Sequence, residues 1–195
     1  MAEPDHDSAK RVLRESVLAA RSALPPPDRA RHDAAIVARA LALVGEVALV
    51  AGYAPLHDEP GGPALPELLA QVLPPGGLLL PAMLPDRDLD WVAYTGQLAA
   101  GGVLRAVREP PGARLGVTAL SRVELVLVPA LAVDGSGARL GRGGGSYDRA
   151  LTRVPAGVPI VALLYPGELV PAVPRQPHDW PVTAVITPDG LVEIG

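Results

Sequence analysis

Five short apolar runs set the terms for any fold of this chain: VALVAGY (Val47–Tyr53), GLLLP (Gly77–Pro81), ELVLVPALAVD (Glu124–Asp134), PIVALLY (Pro159–Tyr165) and TAVIT (Thr183–Thr187). They are apolar throughout rather than at every second residue, the pattern of strands covered on both faces, as in parallel sheets. Helical segments lie among them. Ser8 or Asp7 can cap a first helix to about Ala23, with Leu13, Val17, Ala20 and Leu24 on one face. After Pro25-Pro26-Pro27, Asp28 can cap a second, with Ile36, Val37, Ala40, Leu41 and Val44 as its buried stripe. LPELLAQVL and a segment from Ser146 to Arg153 supply two shorter helices. DLDWVAYT (Asp88–Thr95) alternates like a strand exposed on one face. Helices alternating with apolar strands predict an α/β sandwich with a mainly parallel open sheet. No linker divides the chain, so a single domain over residues 1–195 is expected.

Composition narrows the function. The net charge is −4 and aromatic residues make up 3% of the chain, with no Phe. A global basic field for nucleic acid and stacking platforms for single-stranded bases are both lacking. There is no cysteine, which removes disulfides, thiolate catalysis and Cys-based zinc sites. The first residues are acidic and polar, and no apolar run approaches ~18 residues. The expectation is a soluble, cytoplasmic monomer with no nucleic-acid or membrane partner. Lys10 is the only lysine, the other basic residues being arginines. A Walker A loop needs a lysine directly after its last glycine and is therefore impossible here.

In open α/β sheets, ligands bind outside the carboxyl ends of the strands. The loops HDEPGG, ARLGRGGGSYDRAL and QPHDW follow VALVAGY, ELVLVP and PIVALLY, so they can meet at one edge. The glycine loop follows a strand and precedes a helix, a setting in which backbone N–H groups cradle phosphate. Arg139 and Arg142 add forked donors. The dinucleotide pattern G-x-G-x-x-G fails, because from Gly141 its last position is Ser146. On residues alone the loop is either a surface turn or an anion cradle. Asp148 is either a first-turn acid complementing the helix dipole or a magnesium carboxylate. Lys10 and Arg14, spaced i, i+4, are either a solvated face or a phosphate contact. His57 and His178 lack zinc-protease spacing and read as loop residues.

The run VPALAVDGSGARLGRGGGSYDRAL resembles the signature of the 5-formyltetrahydrofolate cyclo-ligase family, approximately V-P-G-x-x-F-D, a turn, then R-L-G-x-G-x-G-x-Y-D. The resemblance extends to Lys10, Arg11, Leu13 and Arg14, to Asp58-Glu59, to Glu109-Pro110 and to His178-Asp179 before V-x-x-V-I-T. It implies a three-layer α/β/α sandwich. It also implies ATP-dependent, magnesium-requiring closure of 5-formyltetrahydrofolate to 5,10-methenyltetrahydrofolate, with release of ADP and phosphate. By resemblance, ATP is held by Lys10, Arg11 and Arg14 and by Arg139, Leu140, Gly141, Arg142, Gly143, Gly144, Gly145, Ser146 and Tyr147. Lys10 and Arg142 are the candidate catalytic cations, and Asp148 and Asp179 the candidate magnesium ligands. Ala54, Glu59, Trp91 and Tyr147 are assigned to the folate, with Tyr94 and Met83 as further stacking candidates. Such phosphoryl transfer needs positioning and charge neutralisation more than a protein nucleophile. The alternative is a folate- or nucleotide-binding relative that has lost turnover.

Four positions depart from the pattern. Ala130 and Val133 replace the usual glycine and phenylalanine, expected as packing changes. Ser146 stands where an aromatic often precedes the tyrosine. Gly144 occupies a position that is lysine in some members, and Arg142 is the candidate to supply that charge.

Overall fold

The computed structural model describes residues 6–100, 102–104 and 107–194; of the expected 1–195 unit, the remaining positions lie outside the described residues. Its helices are α1 (His6–Ala23), α2 (Pro26–Val44), α3 (Leu65–Val72) and α4 (Ser146–Leu151), with a 3-10 helix at Val117–Arg122. The strands are β1 (Val50–Ala51), β2 (Leu78–Met83), β3 (Leu89–Ala93), β4 (Ala99–Ala100), β5 (Arg108–Glu109), β6 (Leu125–Pro129), β7 (Ala132–Asp134), β8 (Arg139–Leu140), β9 (Ile160–Leu163), β10 (Leu169–Val170), β11 (Ala184–Ile186) and β12 (Leu191–Glu193). Seven of them form the main sheet, in the order β12-β11-β9-β6-β1-β2-β3. Its five inner strands run parallel, and the edge strands β3 and β12 pair antiparallel.

Alternation along each inner strand makes three layers. Leu125 and Leu127 of β6, with Val161 and Leu163 of β9, pack under Ile36 and Ala40 of α2 and Leu65 and Leu69 of α3. Val126, Val128, Ile160 and Ala162 face the other way, onto Leu120 of the 3-10 helix and Ala150 and Leu151 of α4. Both faces bury apolar side chains, which is why these strands read as continuous apolar runs. A small sheet, β10-β7-β8, stands apart. α1 covers it, with Val17 against Leu131, Ala132, Leu140 and Val173.

Several sequence expectations are corrected. ELVLVPALAVD is two strands in two sheets, because the chain leaves the main sheet at Ala130 and pairs again as β7 with β8 and β10. DLDWVAYT is not exposed on one face: Asp88, Asp90 and Trp91 are all buried. The Asp90 carboxylate accepts from the Trp91 and Gly116 N–H groups at 2.6 and 2.7 Å, and Asp88 pairs with Arg153, just past α4, at 2.6 Å. Satisfied polar partners let acids sit in a covered strand. On α1, Ala20 is exposed and Arg21 is buried in its place. α2 begins at Pro26 and not after Asp28; a proline fits the first turn, and Asp28 pairs with Arg31.

Gly137, in the β7–β8 turn, shows how tightly the small sheet meets the main one. Its φ is +79°, and a Cβ there would lie 2.4 Å from the Val182 carbonyl oxygen. Gly157 has φ +86° with nothing within 4 Å of its Cβ position. Gly157→Ala therefore reports backbone strain alone, on the order of 1 kcal/mol, whereas Gly137→Ala adds a backbone clash and is expected to cost roughly 2–3 kcal/mol or more. Urea unfolding of the two variants checks the difference.

Candidate active site

The carboxyl ends of β1, β2 and β6 open into a cavity of about 550 Å³. Strand order explains its place. From β1 the chain goes to one side for β2 and β3, then crosses back to the other side for β6. Loops leaving β1 and β6 diverge there, and the crevice between them is where such sheets take ligands. The glycine loop between β8 and α4, the β1 loop carrying Glu59, and the segment Gln176–Asp179 all border this cavity.

One half is built from cations and glycines. Lys10 and Arg14 reach it from α1, one helical turn apart. The Arg14 Nε donates to the Gly141 carbonyl at 3.0 Å, tying helix to loop. Gly143 and Gly145 have φ of +95° and +65°, conformations that glycine adopts without the steric cost a Cβ brings. The backbone N–H groups of Arg142 to Gly145 donate to no protein acceptor among the described residues. Leu140, Gly144, Ser146 and Tyr147 complete the lining, Ser146 being buried at the first turn of α4. Arg11 is not brought here: its side chain is 62% exposed and pairs with Glu15 on the outer face of α1.

Lys10, Arg139 and Arg142 each meet a carboxylate. Lys10 Nζ is 2.6 Å from Asp179 Oδ2, which also accepts the Gln176 N–H. Arg139 Nη2 donates to Asp148 Oδ1 at 2.8 Å, where the Trp180 N–H adds a second bond. Arg142 bridges the glycine loop to the β1 loop, with Nη2 2.6 Å from Asp58 Oδ1 and Nε 3.1 Å from Glu59 Oε1. Glu59 Oε2 accepts the Leu56 N–H at 2.9 Å, which fixes the carboxylate against its own loop. Burial pushes the Asp179 carboxyl up, but the Lys10 ammonium and the Gln176 N–H outweigh it and hold the group below the usual carboxylate range. Asp58 is lowered in the same way, burial being outweighed by Arg142. Burial raises the Tyr147 hydroxyl well above the ordinary phenol range.

No group of three or more His, Asp or Glu side chains is arranged to hold a metal among the described residues. Magnesium does not need one, since it commonly takes one or two carboxylates and completes its shell with water and phosphate oxygens. Asp148 and Asp179 border the same cavity, and Oδ2 of Asp148 keeps no protein partner among the described residues. The donor set therefore fits a metal that arrives with phosphates.

The other half is mainly apolar. Tyr53, Pro81, Met83, Leu89 and Pro129 line it, with Ala54 just past β1, and the Glu109 carboxylate accepts the Met83 N–H at its border. Trp91, assigned to the folate from sequence, is not in the wall. It is 1% exposed in the core, on the β3 face packed against the 3-10 helix layer. Tyr94 also lies outside, its hydroxyl donating to Glu67. Met83 is the stacking candidate that does border the cavity. Tyr53 and Pro81 are not expected in the site from sequence, and Asp58 stands there beside Glu59 without a role. The first two looked like ordinary strand residues, and Asp58 gains its role only from Arg142, far along the chain.

These features define an α/β protein with a ligand cavity at the carboxyl edge of its sheet, cationic on one side and apolar on the other. The sequence model of the 5-formyltetrahydrofolate cyclo-ligase family matches residues 6–188, and the chain belongs to that family. It is 36% identical over 193 residues to a 5-formyltetrahydrofolate cyclo-ligase of Mycolicibacterium smegmatis, covering 95% of this chain and 97% of that one. It is 35% identical over 88 residues to the Escherichia coli K12 cyclo-ligase, covering 45% and 48% of the two. Among solved structures, 5,10-methenyltetrahydrofolate synthetase of Aquifex aeolicus superposes with a TM-score of 0.75 at 28% identity, covering 95% of this chain and 92% of that one. A synthetase from Mycoplasma pneumoniae gives 0.70 at 18% identity, over 92% and 98%, and supports the fold alone.

The Lys10–Asp179 pair has a pH signature. Asp179 has a folded pKa below its unfolded value, so its contribution is complete above that unfolded value, about 3.9, and is lost as pH falls through the folded one. Asp179→Asn is expected to be less stable than the parent at pH 7, with the gap closing below about pH 4. Urea midpoints at pH 7 and pH 3 measure it; a gap independent of pH would assign the effect to packing.

Proposed function

We propose that this chain catalyses the ATP- and magnesium-dependent conversion of 5-formyltetrahydrofolate to 5,10-methenyltetrahydrofolate, releasing ADP and phosphate, as a cytoplasmic monomer built of one domain. The observation that carries the reading is the two-sided cavity. A glycine loop with free N–H groups, Lys10 and Arg14 faces an apolar wall around Met83 and Pro81. A phosphoryl donor suits the first side and a reduced pterin the second.

In this reading, the loop from Arg139 to Tyr147, with Lys10 and Arg14, binds the ATP phosphates. Fixed N–H groups and guanidinium forks meet the charge spread over the phosphoryl oxygens as it transfers. Asp148 and Asp179 would hold the magnesium ion, which neutralises phosphate charge when bound. Ala54 and Glu59 contact the folate. A formamide oxygen is a poor leaving group. Its lone pair takes the γ-phosphoryl group, and the bond to ADP breaks. The adjacent folate amine then attacks the activated formyl carbon, phosphate leaves with the C–O electron pair, and the amine proton is lost as the bridged cation forms. No protein nucleophile is required, and the protein's contribution is alignment and charge. Arg142 sits between the two sides and exchanges Asp58 and Glu59 for a phosphate oxygen when nucleotide is present.

Mixing the protein with ATP, magnesium and 5-formyltetrahydrofolate tests this directly. Growth of the near-ultraviolet absorbance of methenyltetrahydrofolate at acidic pH is the expected result; its absence would sink the enzyme reading. Lys10→Ala should raise KM for ATP roughly 10- to 100-fold, the value of a charge-assisted hydrogen bond. Asp148→Asn should raise the magnesium concentration needed for half-maximal rate in a protein that still folds, with a thermal midpoint lowered by loss of the Arg139 ion pair. Unchanged metal and ATP dependence would remove Asp148 from the site.

A further inference from the structure

The inner face of α1 runs Lys10, Arg14, Val17, Arg21, positions spaced four, three and four residues apart and so stacked along one side of the helix. The first two line the cavity. Arg21 lies about 10 Å along the axis from Arg14 and about 16 Å from Lys10, at 1.5 Å per residue. It is 2% exposed, although the apolar neighbours of α1 would suit a leucine there. Its Nε donates to Glu168 Oε1 at 2.6 Å, and its Nη2 donates to Glu168 Oε2 at 2.8 Å and to the Ala130 carbonyl at 2.7 Å. Glu168 is itself fixed, accepting the Tyr165 N–H at 2.8 Å. The guanidinium also lies 5.5 Å from the Tyr165 ring centroid.

We infer that Arg21 and Glu168 are positioning residues for the nucleotide side of the cavity: their buried, two-pronged ion pair fixes the roll and axial setting of α1 and so aims Lys10 and Arg14. Stability alone does not account for the pair. Burying two charges costs several kcal/mol in desolvation, and exchanging such a pair for apolar side chains of similar volume is often neutral or stabilising. What apolar contacts lack is direction. A planar fork bonded to both oxygens of one carboxylate and to a backbone carbonyl defines an orientation. That carbonyl belongs to Ala130, which borders the cavity at the end of β6, so the helix is referenced to the cavity wall itself. The required accuracy is high. A roll of roughly 10° swings a side-chain tip by about 1 Å at the radius of a helix surface, and a displacement of that size can cost on the order of 100-fold in rate.

This inference rests on the nucleotide reading of the cavity, and the test separates the two. The double variant Arg21→Met/Glu168→Leu removes both charges and keeps the volume. Its folding is followed by thermal melting, and its ATP affinity by calorimetry with magnesium, at a temperature well below both midpoints. KM is measured for ATP and for 5-formyltetrahydrofolate. The expected result is a folded protein with ATP affinity weakened roughly tenfold and KM for the folate within twofold of the parent, a split that general loosening would not produce. A folded double variant with ATP affinity within twofold of the parent overturns the inference. If the double variant does not fold, Glu168→Gln serves instead. It keeps the shape and weakens the fork, and an ATP KM raised about threefold with an unchanged folate KM supports the inference, whereas an unchanged ATP KM overturns it. A parent protein that binds no ATP overturns the nucleotide reading, which is a different result from any of these.

Discussion

Two carbonyl oxygens at the end of β6 are the point on which the site turns. The central strand stops at Pro129, and the chain swings out of the sheet, so the last carbonyls lose their ladder partners and need donors from elsewhere. Buried arginines from opposite directions supply them. Arg21 of α1 reaches the Ala130 oxygen, and Arg139 of β8 lies 3.5 Å from the Pro129 oxygen. The helix that carries Lys10 and the strand that launches the glycine loop are thereby set against the same two residues. The small sheet gives α1 an apolar platform away from the main sheet.

Much of the positive charge in the cavity is paired. Cations gathered at one edge repel one another, and here Lys10, Arg139 and Arg142 each rest on carboxylates. Arg139 and Arg142 differ in how firmly they are held. The Arg139 side chain is 3% exposed, and its fork is shared between Asp148 and the end of β6. Arg142, 37% exposed on a loop of glycines, bonds to Asp58 and Glu59 of the β1 loop. The first is enclosed on a strand and the second half-exposed on a loop.

The layers were legible because sheet residues covered on both sides leave no polar alternation, and because α2 shows an unbroken apolar stripe. The edge where the cavity opens was also legible, since strand-to-loop order places HDEPGG, the glycines and QPHDW together. Legibility failed where a residue's meaning depends on a distant partner. Ala20 and Arg21 both lie near the helical stripe, and hydropathy favours the alanine; only Glu168, 147 residues on, makes the arginine the buried one. Asp88 and Asp90 read as a solvated face, yet Arg153 and the Gly116 N–H cover them. Trp91 was assigned to the site for its ring, but it follows cavity-lining Leu89 along the same face of β3 and is buried in the core beside the 3-10 helix. Arg11 followed the pattern K-R-x-L-R, and helix geometry turns it one step away from the cavity that Lys10 and Arg14 share.

The scarcity of lysine has a practical side. Every other basic side chain is an arginine, so the chain carries a single ε-amine, and that amine stands at the cavity, 12% exposed and clasped by Asp179. Reagents that acylate amines leave guanidinium groups alone. Amine labelling therefore has one side-chain address, which peptide mapping tells apart from the α-amino group of a free N-terminus. Its rate reads out how often the grip of Asp179 opens, and whatever fills that end of the cavity slows the reaction in proportion to its occupancy. The protein holds its own covalent gauge of the site.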